Sequence, residues 1–183
     1  MPRVLVLCAD GFEEIETVTV ADVLRRAAVE VTLVTVAGPL VEGAHGLAVR
    51  SDASLATARH RRWDAVAVPG GERAAAALRE SPGVRKLLAA HAGAGGIVAA
   101  LCAGSTVVAA SGIARGRALA TYPGLEAMLV EAGARVATQA VCEDGSFLTA
   151  RGPADAIAFA LALVRRLAGE RTAAEVARGL LAG

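Results

Sequence analysis

Cys102 lies in GGIVAALCAGSTVVAASG (95–112), between an apolar run and a series of small residues. A thiol placed there can do chemistry if the chain lifts it at a tight turn, because a strand-to-helix elbow exposes the side chain at its apex. Ala103, Gly104 and Ser105 permit such a turn. Backbone N–H groups at the start of the following helix would stabilise a thiolate and bind an oxyanion. Taken alone, Cys102 is equally well read as a small buried hydrophobe, the usual fate of a free cysteine. Two other segments shift that balance. PGG (69–71) ends a second apolar run and brings bare backbone N–H groups to the same edge. DGFEEIET (10–17) follows the first apolar run and carries Glu13, Glu14 and Glu16. A carboxyl beside a reactive thiol can accept its proton or, when protonated, hydrogen-bond the thiolate. Spacing does not select which glutamate does so, and the first turn of a helix is also an ordinary place for solvated glutamates.

The elements that would hold these groups alternate. RVLVLCA (3–9) reads as a buried strand, followed by a turn at Asp10 and Gly11 and a helix over 13–28. VEVTLVTVAG (29–38), DAVAVPGG (64–71) and GIVAAL (96–101) are further buried strands, with helical material over 74–95. Continuous apolar strands separated by helices predict a doubly wound α/β sandwich of flavodoxin-like type, its mostly parallel sheet covered by helices on both faces. Ligands collect at the carboxyl ends of such strands, where Cys102 falls. Further on, RALATY (117–122) and RVATQAV (135–141) read as strands around a helix over 123–133. CEDGSF (142–147) is a hairpin turn leading into FLTA (147–150), so one antiparallel pair is expected. RGP (151–153) enters a long helix over 153–170, with a short helix after Thr172.

Composition narrows the classes of function. The 183 residues suit one domain, 1–183, with a substantial core. A net charge of +1 and 3% aromatic residues give no footprint for nucleic acid. No apolar stretch reaches the roughly 18 residues of a membrane span, and the amino terminus lacks a secretory pattern, so a cytoplasmic protein is expected. Cys8, Cys102 and Cys142 are odd in number and widely spaced, which argues against disulfides and structural zinc. Cys8 and Cys142 read as structural thiols.

Five collinear segments carry a resemblance: GFEEIETVTVADVLRRAAVEVT (11–32), SDASL (51–55), DAVAVPGG (64–71), AALCAGSTVVAASG (99–112) and LTARGPADAIAFALALV (148–164). In their order and spacing the chain resembles the ThiJ/PfpI superfamily, in the branch of the Parkinson's-disease-associated protein deglycase. The resemblance implies that Cys102 is the nucleophile and that Glu16 is its carboxyl partner, protonated at rest. It implies that Gly70 and Ala103 supply an oxyanion hole, with Gly71 beside them, and that Glu13 sets the polarity of the site. His45, from the loop 42–49, is placed either facing the pocket or as a plain surface histidine. Arg25 and Arg26 would lie near a homodimer interface or be solvated helix charges. His60 and His91 receive no role.

One departure matters. Where the animal deglycases carry a histidine, this chain has Tyr122 within TYP (121–123), a poorer base near neutrality. No histidine follows His91, which removes the class I glutamine amidotransferase pattern, and Ala103 stands where PfpI-type peptidases place a histidine. The implied activity is a glyoxalase or deglycase needing neither cofactor nor metal, acting on methylglyoxal, glyoxal or their adducts with thiols and amines. The alternative is a redox-responsive sensor or chaperone whose Cys102 is oxidised to sulfinate.

Overall fold

The computed structural model describes residues 1–182. Its centre is β1 (Arg3–Cys8), buried at every position after Arg3, as a strand covered on both faces must be. The chain continues through α1 (Glu14–Arg26), β2 (Glu30–Thr35), β3 (Leu40–Glu42), β4 (Ala48–Arg50), β5 (Ala53–Ser54) and the single turn α2 (Leu55–Ala58). Next come β6 (Ala65–Val68), α3 (Glu72–Glu80), α4 (Pro82–Gly93), β7 (Ile97–Leu101) and α5 (Gly104–Ala110). The remainder is β8 (Ala118–Leu119), α6 (Glu126–Glu131), β9 (Arg135–Val136), β10 (Val141–Asp144), β11 (Phe147–Ala150), α7 (Ala156–Ala168) and α8 (Glu170–Leu180).

Seven strands form the main sheet in the order β10-β11-β7-β6-β1-β2-β5. All neighbours are parallel except β10 and β11. This is the doubly wound sandwich expected from the apolar runs. α1, α7 and α8 pack on one another, while α3, α4, α5 and α6 form a second group. The chain leaves β1 toward β2 and later returns to its other side as β6, so the strand order reverses at β1. That reversal opens a crevice outside the carboxyl ends of β1 and β6. The pairings Val6↔Ala67 and Ala67↔Ala99 set β1, β6 and β7 level, so their carboxyl ends meet along one edge.

Several boundaries differ from the apolar pattern, each for a local reason. The helical stretch over 74–95 is two helices, because Ser81 leaves helical geometry, caps α4 through its hydroxyl and is followed by Pro82 in the first turn. RALATY stays out of the main sheet, and of RVATQAV only Val141 enters it, as the start of β10. Only β8 and β9 form, paired in a separate two-stranded ribbon. The N–H groups that would extend the main sheet from β8 instead meet side chains, Ala118 donating to Asp144 at 2.7 Å and Ala120 to Thr149 at 2.8 Å. The loop 42–49 lies within a β3–β4 hairpin. The CEDGSF turn forms as expected, Asp144 pairing with Phe147 across Gly145 and Ser146.

Where β6 ends, α5 begins against it so closely that a Cβ at Gly104 would run into the Val68 carbonyl. Gly93, at the end of α4, has open space around its Cβ position. Gly104→Ala is therefore expected to destabilise the protein by about 1–3 kcal/mol, whereas Gly93→Ala stabilises it by about 0.5–1 kcal/mol. Urea unfolding of both variants checks the pair, and equal midpoints would contradict this packing.

Candidate active site

Cys102 is the apex of the turn between β7 and α5, with φ +58°. Left-handed backbone at a residue with a side chain is strained and persists only where the surroundings hold it. Here they do. The Cys102 N–H donates to the Ala150 carbonyl at 2.9 Å, continuing the ladder of β11, and the Thr121 hydroxyl donates to the Cys102 carbonyl at 3.1 Å. One residue on, the Ala103 carbonyl accepts from the Thr106 hydroxyl at 2.6 Å, and that hydroxyl accepts from the Arg79 guanidinium at 2.6 Å. None of these supports was visible in the sequence, since each depends on which strand or helix lies next to the turn.

Glu16, in the first turn of α1, is fully buried. Its Oε2 accepts the Gly70 N–H at 2.6 Å, and its Oε1 has no hydrogen-bond partner. Gly70 packs against both Glu16 and Cys102, too closely to carry a side chain. A Cβ there would lie 2.7 Å from both the Glu16 Oε2 and the Cys102 Cβ, and 3.0 Å from the sulfur. The peptide is held from its other side as well, the Glu13 N–H donating to the Gly70 carbonyl at 3.0 Å. Gly71 follows at φ +95°, and a side chain there would collide with the Gly11 carbonyl.

This geometry changes one assignment. The Gly70 N–H, expected in the oxyanion hole, donates to Glu16 Oε2. The N–H groups that act on the sulfur are those of Gly71 and Ala103. Which of the two N–H groups of Gly70 and Gly71 acts on the thiol is set by the turn at Pro69–Gly71, and residue types alone do not reveal it.

The two side chains titrate together. Burial pushes the Glu16 carboxyl up to about 7, while the Gly70 N–H and the Cys102 thiol pull it down and the charge of Glu13 adds a smaller upward push. Burial and the charge of Glu16 push the Cys102 thiol up to about 12, against the N–H groups of Ala103 and Gly71. The Coulombic part of that push vanishes when Glu16 is protonated, so the thiol ionises more readily beside a neutral carboxyl, while the larger push from burial remains. The elbow therefore does not by itself lower the thiol pKa, contrary to what its short helix alone would suggest.

His45 does not reach this site within the chain. Its N–H donates to Glu14 Oε1 at 2.6 Å and its Nδ1 lies 2.9 Å from Glu14 Oε2, with the side chain mostly exposed. Although desolvation opposes it, these hydrogen bonds hold the Glu14 carboxyl down to about 2, and Glu14 in turn raises the pKa of His45. The pair ties the β3–β4 turn to the start of α1. Glu13, Glu14 and His45 bring one donor atom each within 4.8 Å of one another, but Glu14 and His45 are already bonded together.

The cleft over Cys102 holds about 380 Å³ and is walled by Glu13, Gly71, Ala103 and Tyr122. Tyr122 is half exposed, packed beside Gly152. Glu72, in the first turn of α3, also lines the cleft. Sequence reasoning passed over it, although an acid directly after PGG at a helix start was a usable signal. Cys8 and Cys142 are buried away from the cleft, free, and raised chiefly by burial.

Residues 2–166 match the DJ-1/PfpI family. The chain belongs to that family. It is 40% identical over 178 residues to Protein dj-1beta of Drosophila melanogaster, covering 97% of this chain and 95% of that protein. The crystal structure of Drosophila melanogaster DJ-1beta is similar at a TM-score of 0.96 and 38% identity, covering 100% of this chain and 98% of the other. A glutathione-independent glyoxalase of Caenorhabditis elegans, DJR-1.2, is 31% identical over 165 residues, covering 90% of this chain and 88% of that protein. A Pyrococcus abyssi deglycase is 29% identical over 165 residues, covering 90% and 99%. Enzymes named for glyoxal and glycation chemistry thus occur among this chain's relatives in the DJ-1/PfpI family.

Because its folded value lies above the unfolded carboxylate value of 4.5, Glu16 favours folding only while protonated. That contribution is full below the unfolded value and is lost as pH rises through about 7. The loss is on the order of 3 kcal/mol. Glu16→Gln cannot ionise and escapes it. The melting temperature of wild type is therefore expected to fall relative to Glu16→Gln between about pH 5 and pH 8. A difference that stays constant across that range would show that Glu16 titrates as an ordinary carboxylate.

Proposed function

We propose that the protein is a glyoxalase or deglycase that acts without a cofactor on glyoxal, methylglyoxal or their early adducts with thiols and amines. The observation that carries this reading is the placement of a buried, proton-retaining carboxyl and a strained thiol on either side of Gly70. The thiolate of Cys102 adds to the aldehyde carbon, the carbonyl oxygen takes the proton of Glu16, and a hemithioacetal results with Glu16 left as carboxylate. Glu16, as carboxylate, then takes the proton from that carbon, giving an enediol, and returns it to the neighbouring carbon. The product of this shift is a 2-hydroxy thioester on Cys102, which water cleaves to the 2-hydroxyacid and free thiol. A carboxyl held near neutrality suits both the giving and the taking of that proton.

The N–H groups of Gly71 and Ala103 support oxyanion stabilisation at the same carbon. Tyr122, at the wall of the cleft, is assigned to holding the substrate rather than to moving its proton. A second reading rests on the unpartnered Glu16 Oε1. A protonated Glu16 would donate a hydrogen bond to an oxygen that peroxide adds to Cys102, stabilising a sulfinate.

One set of assays separates the readings. Wild type is expected to convert methylglyoxal to lactate, Cys102→Ala to lose the activity, and Glu16→Gln to lower kcat by about 10²–10⁴. Cys102→Ala that retained full lactate production would eliminate the mechanism. Absence of turnover in wild type, with a stable mass increase of two oxygens at Cys102 after mild peroxide, would favour the redox reading.

A further inference from the structure

At the other end of the sheet, a second cleft of about 530 Å³ lies beside the residues that lead into β6 and β7. Those strands run away from it toward Cys102, so the two clefts occupy opposite edges. Its rim is the run RHRR, residues 59–62, followed directly by Trp63. Arg59, Arg61 and Arg62 all line it, and no carboxylate does. Arg61 is held, its guanidinium bonded to Glu30 at 2.7 Å and lying 4.9 Å from the centre of the Trp63 ring. Among the described residues, Arg59 and Arg62 pair with no carboxylate. Arg59 donates its Nε–H to His60 Nε2 at 3.1 Å, which leaves its terminal nitrogens, together with the guanidinium of Arg62, to receive an anion beside a third that is fixed.

The opposite wall is apolar and built. Leu87 and the buried Val66 contribute to it, and Trp63 is anchored by its indole N–H, which donates to the Ala58 carbonyl at 3.0 Å. His91 closes the cleft near Gly96, where any side chain would run into the imidazole. The His91 Nε2 lies 3.0 Å from the Ile97 carbonyl, which can only accept, so Nε2 carries the hydrogen and Nδ1 is left as an acceptor. Burial lowers the pKa of this histidine, which favours the neutral ring. The end of α4 also points here, but the carbonyls of Ala90, His91 and Ala92 accept the N–H groups of Ala94, Gly96 and Gly95. Its negative end is therefore largely neutralised and does not oppose an anion.

We propose that this cleft binds a ligand of the mononucleotide class, its phosphates on Arg59 and Arg62 and its planar base against Trp63 and the apolar wall. Guanidinium forks match phosphate oxygens, and aromatic side chains and arginine planes match a base. Inorganic phosphate would occupy a fraction of the volume and leave the apolar wall wet. A nucleic acid strand fits less well, because the net charge of the chain is only +1 and the basic residues are confined to one rim.

The chain contains a single tryptophan, so selectively excited tryptophan fluorescence reports on this cleft. Titration of the full-length protein with ADP is expected to give a saturable change with Kd below about 1 mM, confirmed by calorimetry. Adenosine and pyrophosphate are each expected to bind at least tenfold more weakly than ADP. The double variant Arg59→Ala, Arg62→Ala is expected to weaken ADP at least tenfold while keeping the wild-type melting temperature and methylglyoxal activity. No saturable response to ADP, pyrophosphate binding as tightly as ADP, or an unchanged ADP affinity in the double variant would each overturn the proposal.

Discussion

The Gly70 N–H meets Glu16 Oε2 at 2.6 Å in a place where Gly70 packs against both the carboxyl and Cys102 and no side chain fits. That hydrogen bond fixes the carboxyl from below, so the side chain cannot swing toward solvent. It uses one carboxyl oxygen and leaves the other buried and unpartnered. It also removes the Gly70 N–H from the set that can face a substrate, leaving those of Gly71 and Ala103. The sheet supplies the rest. β1, β6 and β7 are adjacent and level, so the segments that follow them deliver Glu16, the PGG turn and Cys102 to one edge.

The electrostatic consequence is a pair that behaves as one acid. Burial disfavours charge on either partner, and each charge disfavours the other. Protonating Glu16 therefore makes Cys102 easier to ionise, while ionising Glu16 holds the proton on sulfur. Such reciprocity suits a reaction that needs a nucleophile first and a base second. His45 stays out of this pair, bonded to Glu14.

Much of this was legible in the residues. The continuous apolar runs announced β1, β2, β6 and β7, and small residues after an apolar run announced the elbow at Cys102. The family resemblance selected Glu16 from three candidates, and Glu16 is the one of the three that is buried. What was not legible depended on direction. RALATY reads as a strand, yet Asp144 and Thr149 take its N–H groups and keep it out of the main sheet. The residues leave His45 either facing the pocket or on the surface, and the hairpin settles it by turning the mostly exposed ring onto Glu14. The supports of the elbow, from Thr121 and from Arg79 through Thr106, come from segments remote in sequence, and no local pattern encodes them.

The central claim is that Glu16 and Cys102 share one proton across Gly70. Carbon-13 NMR of the glutamate side-chain carboxyls, with Glu16 identified by its loss in Glu16→Gln, follows that proton directly. The Glu16 resonance is expected to titrate near 7 and to move when Cys102 is replaced by alanine. A midpoint in the ordinary carboxylate range, or one indifferent to Cys102→Ala, would contradict the account.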